Sequence, residues 1–286
     1  MQTILITGIN GFLGSSLAKA LSSDFSIIGL EYSLENLFRI VDCNYKVYAT
    51  KDGIADAIFT DQQIKIIIHT ATFYGKNNED FTQMFDANLY SPFNLLNKAI
   101  QYKCELFVNT DTVLDRFVNT YALTKRHFQE WLYLRKNEIK VINMQLEHFY
   151  GPGAPDTNFI TSMINRLRQN EPVIDLTKGE QLRDFVYLDD VISAYKIVIG
   201  KVLAIPDPYT EFQVTTNQLI SIKDILLLLK KLTKSKSKLN FGSISYRENE
   251  LLESKTDNKS LRMLGWMPIT ELNRGLDDTI FSEIKN

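Results

Sequence analysis

The sequence predicts an α/β protein: a doubly wound parallel sheet followed by a smaller C-terminal α/β domain. Three observations carry this. A short β-branched run, Thr3–Thr7, leads directly into the glycines of Gly8–Gly14 and then into a helical pattern. Strand-like apolar runs and amphipathic helical stretches then alternate up to about residue 147. Beyond that point a loop, Gly151-Pro-Gly-Ala-Pro-Asp, changes the texture of the chain. Alternation of strands and helices implies parallel strands, right-handed crossovers and helices on both faces.

The elements follow in order. Thr3–Thr7 reads as a buried strand, and Ser15–Ser22 carries Leu17, Ala18, Ala20 and Leu21 at helical spacing. Phe25–Leu30 is a second strand, ending at Glu31. Lys65–His69 is a third, and Asp80–Tyr102 is a long amphipathic helix. Leu106–Asn109 (strand), Tyr121–Arg135 (helix) and Val141–Gln145 (strand) continue the pattern. After the loop come Phe159–Gln169 (helix), Leu182–Tyr187 (strand), Asp189–Ile199 (helix), Phe212–Thr215 (strand) and Ser221–Leu232 (helix). We expect a dinucleotide-binding domain of residues 1–147, with a returning segment at about 186–218. Residues 148–185 and 219–286 form the expected substrate domain.

Composition removes several function classes. The 286 residues are 44% apolar and 23% charged, which supports an ordinary core. The net charge of -2 gives no electrostatic case for nucleic acid or an anionic membrane. The lysines from Lys230 to Lys238 read as a solvated helix end. Cys43 and Cys104 are the two cysteines, too few for a disulfide scaffold and suited to a reducing compartment. Three scattered histidines make no metal site, and His69 and His127 read as structural. The start, MQTILITG, has no signal-peptide pattern. The longest apolar runs fall far short of the ~20 residues of a membrane span. A soluble cytoplasmic protein is expected.

The first chemical motif is Gly8-Ile-Asn10-Gly11-Phe12-Leu13-Gly14. Glycines between strand and helix let the backbone approach a pyrophosphate, and the helix N-terminus adds partial positive charge. Glu31 stands 17 residues after Gly14, where a carboxylate accepts the hydroxyls of an adenosine ribose. It would repel a 2′-phosphate. At about 4 Å and an effective dielectric of about 20, like charges cost ~4 kcal/mol, or roughly a thousandfold. Glu31 therefore favours NAD(H) over NADP(H), although Arg39 lies nearby to neutralise a phosphate.

The second motif is Tyr121-Ala-Leu-Thr-Lys125. Residues four apart share a helix face, so phenol and ammonium lie side by side. Lowering a tyrosine pKa by about 3 units takes ~4 kcal/mol. A close cation at intermediate dielectric supplies about that much. The expectation is thus an acidified phenol that exchanges a proton with a carbonyl or alcohol. Third, Asn109-Thr110-Asp111-Thr112 ends a strand shortly before Tyr121. Thr110 can hold the reacting oxygen against the tyrosine, and strand ends of such a sheet are where ligands bind.

Taken together, the three glycines, Thr110, Tyr121 and Lys125 resemble the extended short-chain dehydrogenase/reductase family. So do Asn88 in Asn-Leu-Tyr-Ser-Pro-Phe-Asn-Leu-Leu, Tyr150-Gly-Pro-Gly153 and Arg183-Asp-Phe-Val-Tyr-Leu-Asp-Asp190. The resemblance covers nearly the whole chain and implies a Rossmann domain acting on nucleotide sugars. It implies cofactor contacts at Thr70, Ala71, Thr72 and Asn88, and substrate contacts at Asp111, Thr112, His148 and Asn158. Arg183 and Arg247 would clamp a diphosphate, a task suited to guanidinium forks. The resemblance also favours NADP(H), and it implies a homodimer paired through helices such as Asp80–Tyr102 and Tyr121–Arg135.

Among reactions on this scaffold, 4,6-dehydration uses an Asp-Glu pair after the threonine. Here the pair is Asp111-Thr112, so the second carboxylate is missing. The expected activity is reduction of the C4 keto group of a CDP- or dTDP-linked 4-keto-6-deoxy or 3,6-dideoxy hexose, for surface polysaccharide sugars. Nucleotide-sugar 4-epimerisation and non-catalytic dinucleotide sensing are the alternatives.

Overall fold

A computed structural model describes residues 1–75, 80–247 and 249–282. Along the chain, β1 (Thr3–Thr7) leads to α1 (Phe12–Leu21), β2 (Ser26–Glu31) and β3 (Lys46–Ala49). Then come α2 (Ala57–Gln62), β4 (Ile64–His69), α3 (Phe81–Phe85), a π-turn (Asp86–Tyr90) and α4 (Ser91–Gln101). These precede β5 (Leu106–Thr112), α5 (Thr120–Leu134), β6 (Lys140–Leu146) and β7 (His148–Tyr150). The rest is α6 (Phe159–Arg168), β8 (Val173–Leu176), β9 (Leu182–Tyr187), α7 (Leu188–Gly200) and β10 (Tyr209–Val214). Last come β11 (Leu219–Ser221), α8 (Ile222–Leu232), β12 (Lys238–Phe241), α9 (Lys259–Met263) and α10 (Leu272–Ser282).

The chain divides into two compact units. The first comprises Met1–Gln145 with Tyr195–Phe212; the second comprises Leu146–Ala194 with Gln213–Asn286. The returning segment is shorter than the 186–218 expected. The end of β9 and the start of α7 pack in the second unit, where Trp266 bonds Asp190 O at 3.1 Å and Ser193 Oγ at 2.9 Å.

In the first unit a seven-stranded sheet has the order β3-β2-β1-β4-β5-β6-β10. The pairs β2–β3, β1–β2, β1–β4 and β4–β5 are parallel. Chain order reverses between β1 and β4, which is the switch point where such sheets bind ligands. The strands are continuous apolar runs because helices cover both faces; Ile4, Leu5, Ile6, Ile67, Ile68, Phe107 and Val108 have no exposed surface. The expected single helix over 80–102 is interrupted by the π-turn, and Pro92 opens the helix that follows it.

In the second unit β7 pairs in parallel with β9, β9 pairs antiparallel with β11, and β8 pairs in parallel with β12. Ile164, Leu167, Ile225, Leu226, Leu229 and Leu276 pack into its core. The short strands β3, β7, β8, β11 and β12 carry too few residues for their periodicity to show in the sequence.

Candidate active site

The glycine loop folds onto the turn after β4. Gly8 adopts φ +64°, and a Cβ there would stand 2.9 Å from Ala71 Cα. A Cβ on Gly14 would stand 2.1 Å from Gly8 O and 2.9 Å from Thr70 Oγ1. Only glycine fits at both positions. Thr70 donates to Thr7 O at 2.7 Å, and the Thr7 hydroxyl accepts from the Thr70 and Ala71 amides, both at 3.2 Å. Gly11 caps α1 without a side-chain acceptor. The tight glycine turn and the uncapped, ten-residue helix fit a dinucleotide pyrophosphate.

Glu31 ends β2 beside this loop. Its carboxylate accepts from the Asn10 amide at 2.9 Å and the Tyr32 amide at 3.2 Å. A carboxylate has about four acceptor positions, so capacity for ribose hydroxyls remains. The Asn10 side chain is engaged by the neighbouring loop. It donates to Asn36 O at 3.0 Å and accepts from the Arg39 amide at 2.9 Å. The Arg39 guanidinium lies 4.8 Å from the Phe38 ring and 6.0 Å from the Phe12 ring. Leu13 is buried and serves the packing of α1.

Asn88 projects from the π-turn and is likewise occupied. Its carboxamide pairs with the backbone of Phe73, accepting and donating at 2.8 Å. It also donates to Thr124 Oγ1 at 3.2 Å. Asn88 thereby ties the loop of Thr70, Ala71 and Thr72 to α5. The π-turn re-aims this one side chain, as π-bulges at functional positions do.

Asn119 caps α5, accepting from the Ala122 amide at 2.8 Å, which sets Tyr121 in the first turn and Lys125 one turn later. Lys125 is 3% exposed and Asp111 5%. Burial pulls the Lys125 ammonium down, and the Asp111 carboxylate opposes this. Burial pushes the Asp111 carboxyl up, opposed by Lys125, the Asn143 amide and the Thr112 amide. Asp111 accepts from Asn143 Nδ2 and from the Thr112 N–H, each at 2.8 Å. Asp111 is thus a buried counter-charge to Lys125. Thr112 Oγ1 accepts from the Leu114 amide at 3.2 Å and shapes the loop after β5.

The Tyr121 phenol also departs from expectation. Burial pushes its pKa well above 10, and the Tyr74 phenol and the Asp111 carboxylate reinforce this. The net direction is upward, opposite to the acidified phenol expected from the Lys125 neighbour. The phenol is thus held protonated. Its hydroxyl hydrogen-bonds Thr72 and Tyr74. Thr110 Oγ1 bonds Tyr195 OH at 2.7 Å, which fixes its rotamer and leaves further hydrogen-bonding capacity.

The second unit holds the remaining expected residues. Arg183 on β9 donates to Glu250 Oε1 and to Leu182 O, both at 2.9 Å. Two of five guanidinium donors are thereby engaged, and Glu250 and Glu147 counter the lowering by burial. Arg247 is exposed, in the loop before Glu250. His148 Nδ1 lies 3.1 Å from Glu147 Oε2, and the Ser254 hydroxyl donates to the other carboxylate oxygen. Burial works to raise Glu147, but these bonds outweigh it and hold the carboxyl below its usual range. Asn158 caps α6, accepting from the Ile160 amide at 3.1 Å and donating to Phe149 O at 2.9 Å. These two bonds hold its carboxamide to the fold, and one of its two N–H donors is left over from them.

Sequence reasoning missed Tyr74, Tyr195, Thr7 and Asn143. Asn143 had a signal: polar residues at alternate positions, Asn143 and Gln145, in an otherwise apolar strand, matching Asn109 and Asp111 in β5. Tyr74 and Tyr195 had none, since each acts on a partner distant in sequence.

Comparisons with known proteins bear on the family and the fold. The profile of the NAD dependent epimerase/dehydratase family matches residues 4–210. The chain is 32% identical to CDP-abequose synthase of Salmonella typhimurium strain LT2, covering 98% of this chain and 97% of that protein. It is 30% identical to CDP-abequose synthase of Salmonella muenchen, covering 96% of each. The fold is shared with UDP-glucuronic acid 4-epimerase from Bacillus cereus, solved with UDP-glucuronic acid and NAD. There the TM-score is 0.88 at 20% identity, with 99% of both chains covered. Among the described residues no helix is long and apolar enough to cross a membrane. The chain, with its glycine turn on the switch point and its tyrosine and lysine on one helix, belongs to the NAD dependent epimerase/dehydratase family.

Proposed function

We propose that the protein reduces the C4 keto group of a nucleotide-linked 4-keto-6-deoxy or 3,6-dideoxy hexose. The observation that carries this is the placement of Tyr121 and Lys125 one turn apart at the start of α5, with Thr110 at the end of β5. Burial, Tyr74 and Asp111 all keep the Tyr121 phenol neutral, and a neutral phenol is a proton donor. That is what an alkoxide forming at C4 requires. A reduced nicotinamide, when bound, supplies the hydride. Tyr121 then delivers the proton to the new alkoxide oxygen, and Thr110 holds that oxygen. Buried Lys125, whose charged form Asp111 favours, would stabilise the phenolate left on Tyr121. The likeness to CDP-abequose synthase over almost the whole chain supports a CDP-linked substrate, with dTDP as the other candidate.

Gly8, Gly11, Gly14, Glu31 and the loop at Thr70, Ala71 and Thr72 would hold the dinucleotide. Glu31 argues for NAD(H) by like-charge repulsion of a 2′-phosphate. Arg183 and Arg247 would hold the diphosphate, with His148 near the sugar. Phe81, Phe85, Tyr90 and Trp131 are exposed on α3, the π-turn and α5, which supports pairing of two copies through these helices.

The test mixes purified protein with NADH or NADPH and with CDP- or dTDP-linked 4-keto-6-deoxy sugars. Loss of reduced-nicotinamide absorbance with formation of the 4-hydroxy sugar is expected. Interconversion of 4-hydroxy epimers without net cofactor consumption would assign an epimerase instead. No reaction with any of these sugars would overturn the proposal.

A further inference from the structure

The segment after β4 carries a second phenol into the active site. Tyr74 packs on Tyr121 with ring centroids 4.8 Å apart and planes inclined by 33°. The two hydroxyls hydrogen-bond each other. The segment is held in place by the paired bonds between Asn88 and the Phe73 backbone. Tyr74 keeps 47% of its surface exposed, whereas Lys125 is 3% exposed and His69 likewise 3%. Thr72 and Tyr121 itself are half-buried, so Tyr74 is the most exposed of the groups gathered around the Tyr121 hydroxyl.

Each reduction leaves Tyr121 as a phenolate, which must regain a proton before the next turnover. Lys125 is a costly source: giving up its proton would leave the buried Asp111 charge unpaired. His69 is held neutral, and its Nδ1 is bonded to Thr7 Oγ1 at 2.8 Å. The geometry points to Tyr74 as the residue that returns the proton to Tyr121 between turnovers.

The balance is simple. The Tyr121 O–H bond breaks as the proton passes to the C4 alkoxide. The Tyr74 O–H bond then breaks as its proton passes to the Tyr121 phenolate. The Tyr74 phenolate takes a proton from solvent, and no electrons move. Tyr74 acts through Tyr121 and is a positioning and relay residue; it does not touch the reacting carbon.

This inference rests on the reductase reading, so the test has two independent arms. In the first, Tyr74→Phe keeps the ring and removes the hydroxyl. We expect kcat to fall roughly ten- to a hundredfold, at or below the low end of what acid–base catalysis contributes. KM for the sugar should stay the same, while the solvent deuterium isotope effect on kcat rises and the pH profile changes. The second arm needs no cofactor or substrate. Protein carrying difluorotyrosine is titrated by fluorine NMR, with Tyr121 and Tyr74 resonances assigned by their loss in Tyr121→Phe and Tyr74→Phe. In the parent protein the two should titrate as a coupled pair, in two linked steps. In Tyr74→Phe, Tyr121 should titrate in one. An unchanged Tyr121 titration, or unchanged kcat, isotope effect and pH profile, would overturn the relay. A coupled titration in a protein inactive toward every 4-keto sugar would instead remove the reductase reading and leave the pair intact.

Discussion

Asp111 and Lys125 are both withdrawn from water, and each opposes the effect of burial on the other: the carboxylate at the end of β5 favours the charged form of the ammonium one turn into α5. Removing the negative charge from such a buried pair leaves the partner uncompensated. In Asp111→Asn the Lys125 pKa falls further below its ordinary value. The alkaline limb of the kcat/KM profile should therefore move to lower pH. A limb that stays in place would show that Lys125 is held by something else.

Tyr121→Phe removes one oxygen and keeps the ring that packs on Tyr74. Its kcat should fall by a hundredfold or more. The melting temperature and the KM for sugar should stay close to those of the parent protein. Turnover that survives the substitution would remove Tyr121 from the role of proton donor.

Glu31 should decide between the two nicotinamide cofactors. Replacing it with serine removes the repulsion of a 2′-phosphate and leaves Arg39 beside Phe12 and Phe38 to attract one. The ratio of kcat/KM for NADPH to that for NADH should rise by tenfold or more, with roughly a thousandfold as the ceiling set by charge repulsion. A parent enzyme that already prefers NADPH would refute the argument.

His69 links stability to pH. Burial, joined by the nearby Lys125 charge, pulls its pKa well below 6.5, so it stays neutral in the folded protein. The unfolded chain takes up a proton at about pH 6.5. Stability from this residue is fully present above that pH and falls as pH drops below it, by ~1.4 kcal/mol per pH unit. Denaturant titrations of the parent protein and His69→Gln between about pH 6.5 and pH 5 should show that slope only in the parent. Equal slopes would place the linkage elsewhere.

Asn158 is expected to matter for the fold and not for the sugar. As N-cap of α6 it satisfies the Ile160 amide. Asn158→Ala should lower stability by about 1 kcal/mol, typical of a lost cap. KM for the nucleotide sugar should remain the same. A rise in KM with unchanged stability would restore the substrate contact.

The fold class and the cofactor loop were legible in the chain because their signals are local. A strand, three spaced glycines and a helix occupy consecutive residues, and Tyr121 and Lys125 are joined by one helical turn. The long apolar strands of the first sheet announced themselves for the same reason, while three- and four-residue strands such as β7 and β11 did not. What the chain determined by itself was therefore which groups are present and which lie on one helix face or at one strand end. What surrounds them was decided only by tertiary structure. How strongly Asp111 offsets the burial of Lys125, whether Asn158 caps its own helix, and whether a second phenol reaches the first all depend on packing between distant segments. The physical reason is that a pKa is set by burial and by neighbouring charge, and neither quantity exists until strands from opposite ends of a domain are laid side by side.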